Sequence, residues 1–458
     1  MSLTDQGFAV IDEQRFQAFH WRATLTTGLG VFCDGYDLSS LALVLPMVMA
    51  SFGHASLTSQ QSGLLAASAL VGAAVGALGF GVLGQWGRRR FYGLDVLILG
   101  LAAIGQAFAP DIAWLIGLRF VLGLGVGADY VLSPVIMAEH ANRADRGRAI
   151  GLGFGTMWPA GALAAALFKL LLDSFHMAPD LEWRLVLAAG AVPALAILYF
   201  RRKMPETARY LSKLAGETRQ ASDVMREISG QAVTAPSQDE RPFWTVLAQH
   251  AGPIFSAALL WMLYDLVVYA IILFGPSLIG KSLGLAPVTF SLLLQIVFIL
   301  PASVLLSVFV IDRFGRKPLQ AWGFLAGGVL VTIFGLMQKE LLSMPILAFI
   351  VFGVFNVAET GPGLVSGAGI LGVELAPTRV RSVAQSITVA GGRIGAAIAG
   401  FGFPWLFGHI GQAAAYYVIA GLSVLGAVGT LFLVPETGRI SLEAITDDDA
   451  PTPAAGPA

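Results

Sequence analysis

The chain has 458 residues, of which 56% are hydrophobic and only 12% charged, with a formal net charge of -1. Soluble domains carry about twice that fraction of charged residues, so the composition excludes an ordinary soluble enzyme. The near-neutral balance gives no reason to expect nucleic acid as a partner. The 54 glycines are typical of membrane helices that pack through small side chains.

Apolar stretches of about 20 to 28 residues recur with short polar breaks, and each can cross a hydrocarbon core about 30 Å thick as a helix. The first stretch is too long for the core of a signal peptide, so we expect it to remain a membrane helix. The pattern predicts twelve spans, numbered 1 to 12, near residues 24–50, 61–84, 91–109, 112–138, 147–173, 183–201, 249–275, 286–310, 318–337, 343–372, 380–408 and 412–434.

The two halves of the chain repeat each other. Pro-Glu-Thr follows span 6 at Pro205 and span 12 at Pro435, and a basic turn follows both span 2 and span 8. Such repeats predict an all-α membrane protein with two pseudo-symmetric six-helix bundles and a solute site between them near the bilayer midplane. The expected division is a first bundle over 1–201, a cytoplasmic linker over 202–244, a second bundle over 245–440 and a disordered tail over 441–458.

Lys and Arg concentrate in alternate loops, including those after spans 2, 4, 6, 8 and 10. By the positive-inside rule these loops and both termini are expected on the cytoplasmic side of an inner membrane.

Ionisable residues far from span ends are costly in lipid and normally face a cavity or a partner. Asp34 and Asp37 lie three residues apart on one face of span 1, and Arg119 of span 4 is the expected counter-ion for one of them. A carboxylate that alternates between this arginine and a proton can couple proton movement to a conformational change. The alternative is a static ion pair used only for packing. We assign Asp95 of span 3 to the neighbouring basic turn.

A polar cavity between the halves is the second hypothesis. Trp261, Asp265 and Tyr269 are spaced by four residues, which places an aromatic ring, an acid and a phenol along one face of span 7. Asp129 and Tyr130 form a similar pair in span 4, and Arg393 is the basic group deep in the second half. Aromatic residues at helical spacing often serve packing alone, but a carboxylate between them favours a cavity.

Other patterns favour structural roles. Gly123, Gly125 and Gly127 resemble a phosphate-binding loop, but they lie within a span with no preceding strand, so close helix packing is expected. The six histidines are scattered without metal-ligand spacing, and we expect neither a metal nor another cofactor. No nucleophile, base and orienting group recur together, so we do not expect an enzyme.

These motifs together resemble the major facilitator superfamily over essentially the whole chain. The basic turns, the Pro-Glu-Thr repeats and the acidic and basic residues that follow spans 4 and 10 resemble its sugar porter and phosphate porter pattern. The resemblance implies a set of gating residues, namely Arg88, Arg89, Glu139, Arg148, Asp312, Arg316, Glu374 and Arg381. The first-half turn has Gly84 where the pattern expects an aspartate, which predicts an asymmetric gate.

Within that superfamily the chain is most similar to the phosphate:proton symporter family. Span 1 carries Asp34-Gly35-Tyr36-Asp37-Leu38, span 4 carries Gly127-Ala128-Asp129-Tyr130, and span 7 carries the Trp261, Asp265, Tyr269 face. The resemblance implies a phosphate site formed by these acids and rings, with Arg393 at the place of a family lysine. Trp158 and Gly363 replace family amides, and Glu359 adds an acid.

We therefore predict a monomeric, proton-coupled symporter of a small polar or anionic solute, with inorganic phosphate as the first candidate. An organic acid, a zwitterion or a sugar is the alternative substrate class. A uniporter or exporter of the same fold, and a membrane sensor or integral-membrane enzyme, are the remaining alternatives. The expected substrate-binding residues are Asp129, Tyr130, Trp158, Trp261, Asp265, Tyr269, Glu359 and Arg393.

Overall fold

The computed structural model describes residues 7–52, 59–272 and 279–446, and the regular elements within these ranges are helices. Eleven of these helical segments are long and apolar enough to cross a membrane. They form spans 1, 2 and 4 to 12, over Ala18–Ser51, Ala67–Trp86, Ile112–His140, Arg146–Ser174, Pro179–Arg202, Ala251–Ile271, Pro287–Phe314, Arg316–Leu336, Pro345–Glu374, Arg381–Ile410 and Gln412–Leu433.

Span 3 is the short helix Leu94–Gln106, whose 13 residues extend about 20 Å. Gly93, with φ at 113°, redirects the chain between the basic turn at Arg88–Phe91 and this helix. Span 3 packs against spans 4 and 6, so it lies inside the first bundle with the other membrane helices. The twelve-helix prediction is confirmed, with one span shorter than expected.

The helix pairs repeat between the two bundles. Span 1 packs on span 5 as span 7 packs on span 11, span 3 on span 6 as span 9 on span 12, and span 2 on span 4 as span 8 on span 10. The bundles meet through two equivalent pairs, span 2 with span 11 and span 5 with span 8. Both the internal pairs and the interface therefore follow one pseudo-two-fold relation.

Small residues allow the closest of these contacts. A Cβ on Gly123 or Gly127 of span 4 would collide with the backbone carbonyl of Ala69 or Ala73 in span 2. Helices without a hydrophobic driving force between them associate by such close backbone approach. The packing role expected for these glycines is thus the one that the structure shows.

The linker carries three helices, Ala208–Lys213, Thr218–Ser229 and Phe243–Gln249. Arg209 in the first of them is fully buried and bonds Glu443 at 2.6 Å and Asp12 at 2.9 Å. Burial raises the pKa of Glu443, but the Arg209 charge outweighs burial and brings that pKa down to about 2. One arginine thus ties the linker to segments near both ends of the chain.

The disordered tail predicted from residue 441 is wrong for its first part. Residues Leu442–Thr446 form a helix, with Leu442 and Glu443 buried, because Arg209 supplies a buried partner that the local sequence does not reveal. Residues 447–458 lie outside the described part of the chain.

We expect Gly127→Val to lower the stability of the protein, since the added side chain would push span 4 away from Ala73. Overpacking of this kind costs about 1–3 kcal/mol. Thermal unfolding of the purified protein in detergent measures the effect. Gly117→Val is the matched control, because Gly117 lies in the same helix and a Cβ added there would meet nothing within 4 Å; equal losses in both variants would contradict the packing role.

Candidate functional site

A cavity of about 130 Å³ lies between the two bundles. That volume holds several waters or one small solute, and it is below the range of drug-sized pockets. Short π-helical stretches in spans 5, 8 and 10 contribute to its wall, a feature frequent at functional sites. Its polar lining consists of Tyr130, Tyr264, Asp265, Tyr269, Ser303, Asn356, Glu359, Thr360 and Arg393.

Arg393 of span 11 is the basic side chain among the described lining residues. Its guanidinium lies 3.1 Å from the Asp265 carboxylate and donates to the Tyr269 hydroxyl at 3.1 Å. It also lies 4.8 Å from the centre of the Tyr130 ring, on the opposite bundle. Its Nε has no hydrogen-bond partner within the described part of the chain. The cavity thus contains an enclosed cation that is held by Asp265 and Tyr269.

The predicted span 7 face is divided between the cavity and the interior behind it. Asp265 and Tyr269 line the cavity, whereas Trp261 does not. The fully buried Trp261 ring stacks on Tyr130 at 6.1 Å and occupies the space left by Gly392, where a Cβ would collide with it. Trp261 therefore supports the lining residue Tyr130 from behind in this conformation.

Trp158 and Glu359 line the cavity as expected, and Gly363 lies beside them. The absent side chain of Gly363 makes room for the Tyr264 hydroxyl, which lies 2.7 Å from the position a Cβ would take. No sequence pattern indicates Tyr264, because adjacent helical residues point about 100° apart and only the packed helix shows that Tyr264 and Asp265 both reach the cavity. The Tyr264 hydroxyl thus occupies the space where the family resemblance implies an amide side chain. The Glu359 carboxylate accepts a hydrogen bond of 3.3 Å from Ser423 of span 12.

Asp129 does not line the cavity, contrary to our expectation. Successive helical residues point about 100° apart, so Tyr130 faces the cavity while Asp129 faces the interior of the first bundle. There Asp129 pairs with Arg201 of span 6 at 2.7 Å and accepts from the Ser133 hydroxyl at 2.5 Å. Arg201 also pairs with Asp95 of span 3.

Arg201 and Asp95 are thus parts of a buried charge cluster that the sequence analysis missed. Arg201 is fully buried and its guanidinium lies 4.1 Å from the centre of the Tyr92 ring. The sequence pattern assigns Asp95 to the turn after span 2 and does not single out Arg201. Their positions, near the end of one helix and the start of its neighbour, were the available signal.

The span 1 aspartates face two different partners. Asp34 lies within electrostatic range of Asp129 and Arg201, and both its carboxylate oxygens are buried with no hydrogen-bond partner in the described structure. Gly30, one turn earlier, leaves space for the Arg201 guanidinium. Asp37 lies beside Arg119, which donates to its backbone carbonyl at 3.5 Å. Asp37 and Arg119 are therefore neighbours that meet at the backbone carbonyl of Asp37. Asp34 belongs to the cluster around Arg201.

The ends of the bundles that carry the basic turns, called the basic face below, are joined by a symmetric charge lattice. Glu139 pairs with Arg88 of its own bundle at 3.3 Å and with Arg381 of the other at 3.0 Å. Glu374 likewise pairs with Arg316 of its own bundle at 3.2 Å and with Arg146 of the other at 2.7 Å. Each carboxylate also accepts from the threonine of a Pro-Glu-Thr motif.

One contact of the charge lattice is made by the second half of the chain and not by the equivalent position of the first half. Asp312 accepts hydrogen bonds from the backbone N–H groups of Gly147 and Arg148 at the start of span 5, at 3.1 Å and 2.6 Å. At the equivalent place in the first half, Gly84 lies against Ser382 of span 11. The asymmetry expected from Gly84 is visible here. Arg89 donates its backbone N–H to Glu206 at 2.9 Å, as Lys317 does to Glu436 at 3.0 Å in the second half.

Comparisons with known proteins agree with this architecture. The sequence profile described as "Sugar (and other) transporter" matches residues 23–448. A probable inorganic phosphate transporter 1-10 of Oryza sativa subsp. japonica is 32% identical, with 96% of this chain and 92% of the relative covered.

Two solved structures share the fold. The proton:xylose symporter XylE bound to 6-bromo-6-deoxy-D-glucose is 23% identical and superposes with a TM-score of 0.80, covering 94% of this chain and 99% of that one. The inward open conformation of XylE from E. coli is 22% identical and gives 0.68, covering 93% and 99%. The shared fold is that of a two-bundle transporter.

Proposed function

Because the chain belongs to the sugar (and other) transporter family of the major facilitator superfamily, we propose that it carries inorganic phosphate together with protons by alternating access. The observation that carries the proposal is Arg393, the enclosed guanidinium of a cavity sized for a small solute. Guanidinium is the side chain best suited to planar, multidentate recognition of oxyanions. The relative named as a phosphate transporter supports this substrate.

The substrate would bind between Arg393 and the hydroxyls of Tyr130, Tyr264 and Tyr269. Asp265 neutralises Arg393 in the structure, with 3.1 Å between their charged atoms. An incoming anion therefore competes with Asp265 for the guanidinium, and a proton on Asp265 removes that competition. Substrate binding and proton uptake would favour each other at this pair.

We assign proton coupling to the first bundle. Arg201 faces the carboxylates of Asp95 and Asp129, and Asp34 lies close by. A buried site with more carboxylates than cations holds protons readily, because desolvation and like-charge crowding both oppose full ionisation. Asp37 beside Arg119 is a second acid for the same proton traffic.

The charge lattice would act as the gate. Glu139–Arg381 and Glu374–Arg146 cross from one bundle to the other, so rocking the bundles apart on this face must break both pairs. By the positive-inside rule we place this basic face and both termini in the cytoplasm, in an inner membrane. The structure would then represent a state closed toward the cytoplasm.

A sugar is the second candidate substrate. Trp158 offers a ring for stacking in the cavity wall, and Asn356 and Glu359 offer neutral and acidic acceptors that an oxyanion does not need. Competition by xylose against labelled phosphate distinguishes the candidates.

We expect Arg393→Gln and Asp265→Asn to reduce phosphate uptake into proteoliposomes with an acidic exterior. Removing one partner of a buried charge pair costs about 2–5 kcal/mol, so uptake by Arg393→Gln at low phosphate should fall at least about 30-fold. Lys339→Gln, at an exposed position, is the control and should transport normally. Unchanged uptake in both cavity variants would refute the site.

Asp129→Asn and Asp34→Asn should separate coupling from substrate binding. Both lie outside the cavity, so phosphate exchange between equal solutions should persist while accumulation driven by a pH gradient is lost. Asp223→Asn, on the exposed part of the linker, is the control. Full gradient-driven accumulation in both variants would show that the protons travel elsewhere.

Glu139→Gln with Glu374→Gln should open the basic face. Ser307, buried where span 8 meets Gly151 of span 5, reports on opening when replaced by cysteine in a Cys33→Ala background. Its maleimide labelling should accelerate in the double variant. Ser423→Cys, which is buried within the second bundle, should stay unreactive. An unchanged rate at position 307 would contradict the gating role.

A further inference from the structure

A second, larger cavity lies between the first bundle and the linker, separate from the substrate cavity. It has a volume of about 410 Å³ and is formed by the start of span 1, the end of span 6 and the linker helix Thr218–Ser229. We call it the lateral groove. It lies at the basic face, and its lining shares no residue with the substrate cavity.

The rim of the lateral groove is positively charged. Arg22 of span 1 and Lys203 at the end of span 6 are both exposed, and the acid among the described lining residues is Glu227 of the linker helix. Lys203 donates to the Tyr199 hydroxyl and lies over the Tyr199 ring at 4.1 Å. Two cations on neighbouring helices therefore face the same opening.

The depth of the lateral groove is apolar. Leu25 and Leu29 follow Arg22 along span 1 by one and two turns, and they are 46% and 37% exposed. Phe200 on the facing helix is 55% exposed. The seven helical steps from Arg22 to Leu29 cover about 10 Å of helix axis. The groove thus has a charged rim and, below it, an apolar channel that runs toward the bilayer interior. These two parts match the charged headgroup and the apolar chain of a lipid, whereas a free ion would need only the rim.

Aromatic residues place this rim at the membrane–water interface. Tyr199 lines the groove and is 59% exposed, and Trp21, which precedes Arg22 in span 1, is 40% exposed. Tyrosine and tryptophan prefer the headgroup level of a bilayer. The cations of the rim thus lie where lipid phosphates lie, and the leucines lie where acyl chains lie.

We propose that the lateral groove binds an anionic phospholipid of the leaflet at the basic face, with the headgroup phosphate between Arg22 and Lys203 and one acyl chain along Leu25 and Leu29. This lipid site goes beyond the proposed transport function. Only the identification of the leaflet as cytoplasmic rests on the orientation proposed there. Juxtamembrane basic residues attract anionic lipids, and the apolar channel adds selectivity for a chain-bearing ligand.

The position of the groove gives the lipid a structural consequence. Spans 1 and 6 belong to one bundle and pack directly on each other, so the groove should not open or close when the bundles rock. Its third wall is the linker helix, which Gln17 holds through a 2.8 Å hydrogen bond to the Ile228 carbonyl. A bound lipid would fill the space between linker and bundle and keep them together.

Native mass spectrometry of the full chain tests the proposal. The protein is titrated with phosphatidylglycerol or phosphatidylcholine of matched chains, and the retained lipid is counted. Each basic residue near a membrane surface contributes about five-fold to anionic lipid binding, so Arg22→Gln with Lys203→Gln should weaken phosphatidylglycerol retention about 25-fold. Arg90→Gln with Arg313→Gln, two exposed basic residues elsewhere on the basic face, should leave retention unchanged.

Further measurements distinguish a lipid headgroup from a free phosphate as the ligand of the groove. Leu29→Ser should weaken lipid binding if an acyl chain occupies the channel, and inorganic phosphate or glycerophosphoglycerol should not displace the lipid. Displacement by inorganic phosphate, equal retention of phosphatidylcholine, or equal losses in the control pair would each overturn the proposal. Because no transport is measured, a failure of phosphate uptake leaves this result intact.

Discussion

The structure depends on one constraint, which is that a charge inside a membrane protein needs a partner within reach. The lattice at the basic face satisfies it with two carboxylates, Glu139 and Glu374, each held between an arginine of its own bundle and one of the other. Each cross-bundle bond therefore has an internal bond beside it. When the bundles separate, every carboxylate keeps one arginine, so opening this face leaves neither acid without a counter-charge.

The same constraint explains where the interior charges lie. Arg201 cannot remain buried without Asp95 and Asp129, and Arg393 cannot remain buried without Asp265. In the first bundle Arg201 pairs with two carboxylates, whereas in the second bundle Arg393 pairs with Asp265 alone, and the other acid of the cavity, Glu359, accepts a hydrogen bond from Ser423. The proposed proton site and the proposed anion site thus differ in how many carboxylates pair with their arginine. Gly30 provides the space for the Arg201 guanidinium, and Gly392 provides the space for the Trp261 ring.

The sequence predicted the features that depend on long patterns. The lengths of the hydrophobic stretches predicted the twelve spans, and the repeated motifs predicted the two bundles. The spacing by four residues predicted that Asp265 and Tyr269 face the cavity. It did not predict features that depend on rotation or on distant partners. Asp129 and Tyr130 are neighbours in the chain, and only the packed helix decides which faces the cavity. Arg201 has the sequence signature of a loop arginine, and the helix at Leu442–Thr446 depends on Arg209, more than 230 residues away.

The two sites are nevertheless connected, and span 4 is the connection. Asp129 bonds Arg201 inside the first bundle, and the next residue, Tyr130, places its ring 4.8 Å from Arg393 across the cavity. Tyr130 also stacks on Trp261, which is buried against Gly392 of span 11. We infer that a proton reaching Asp129 loosens its bond to Arg201 and allows span 4 to turn, which moves Tyr130 relative to Arg393. In this proposal coupling needs no long pathway, because two adjacent residues of one helix, Asp129 and Tyr130, contact Arg201 and Arg393.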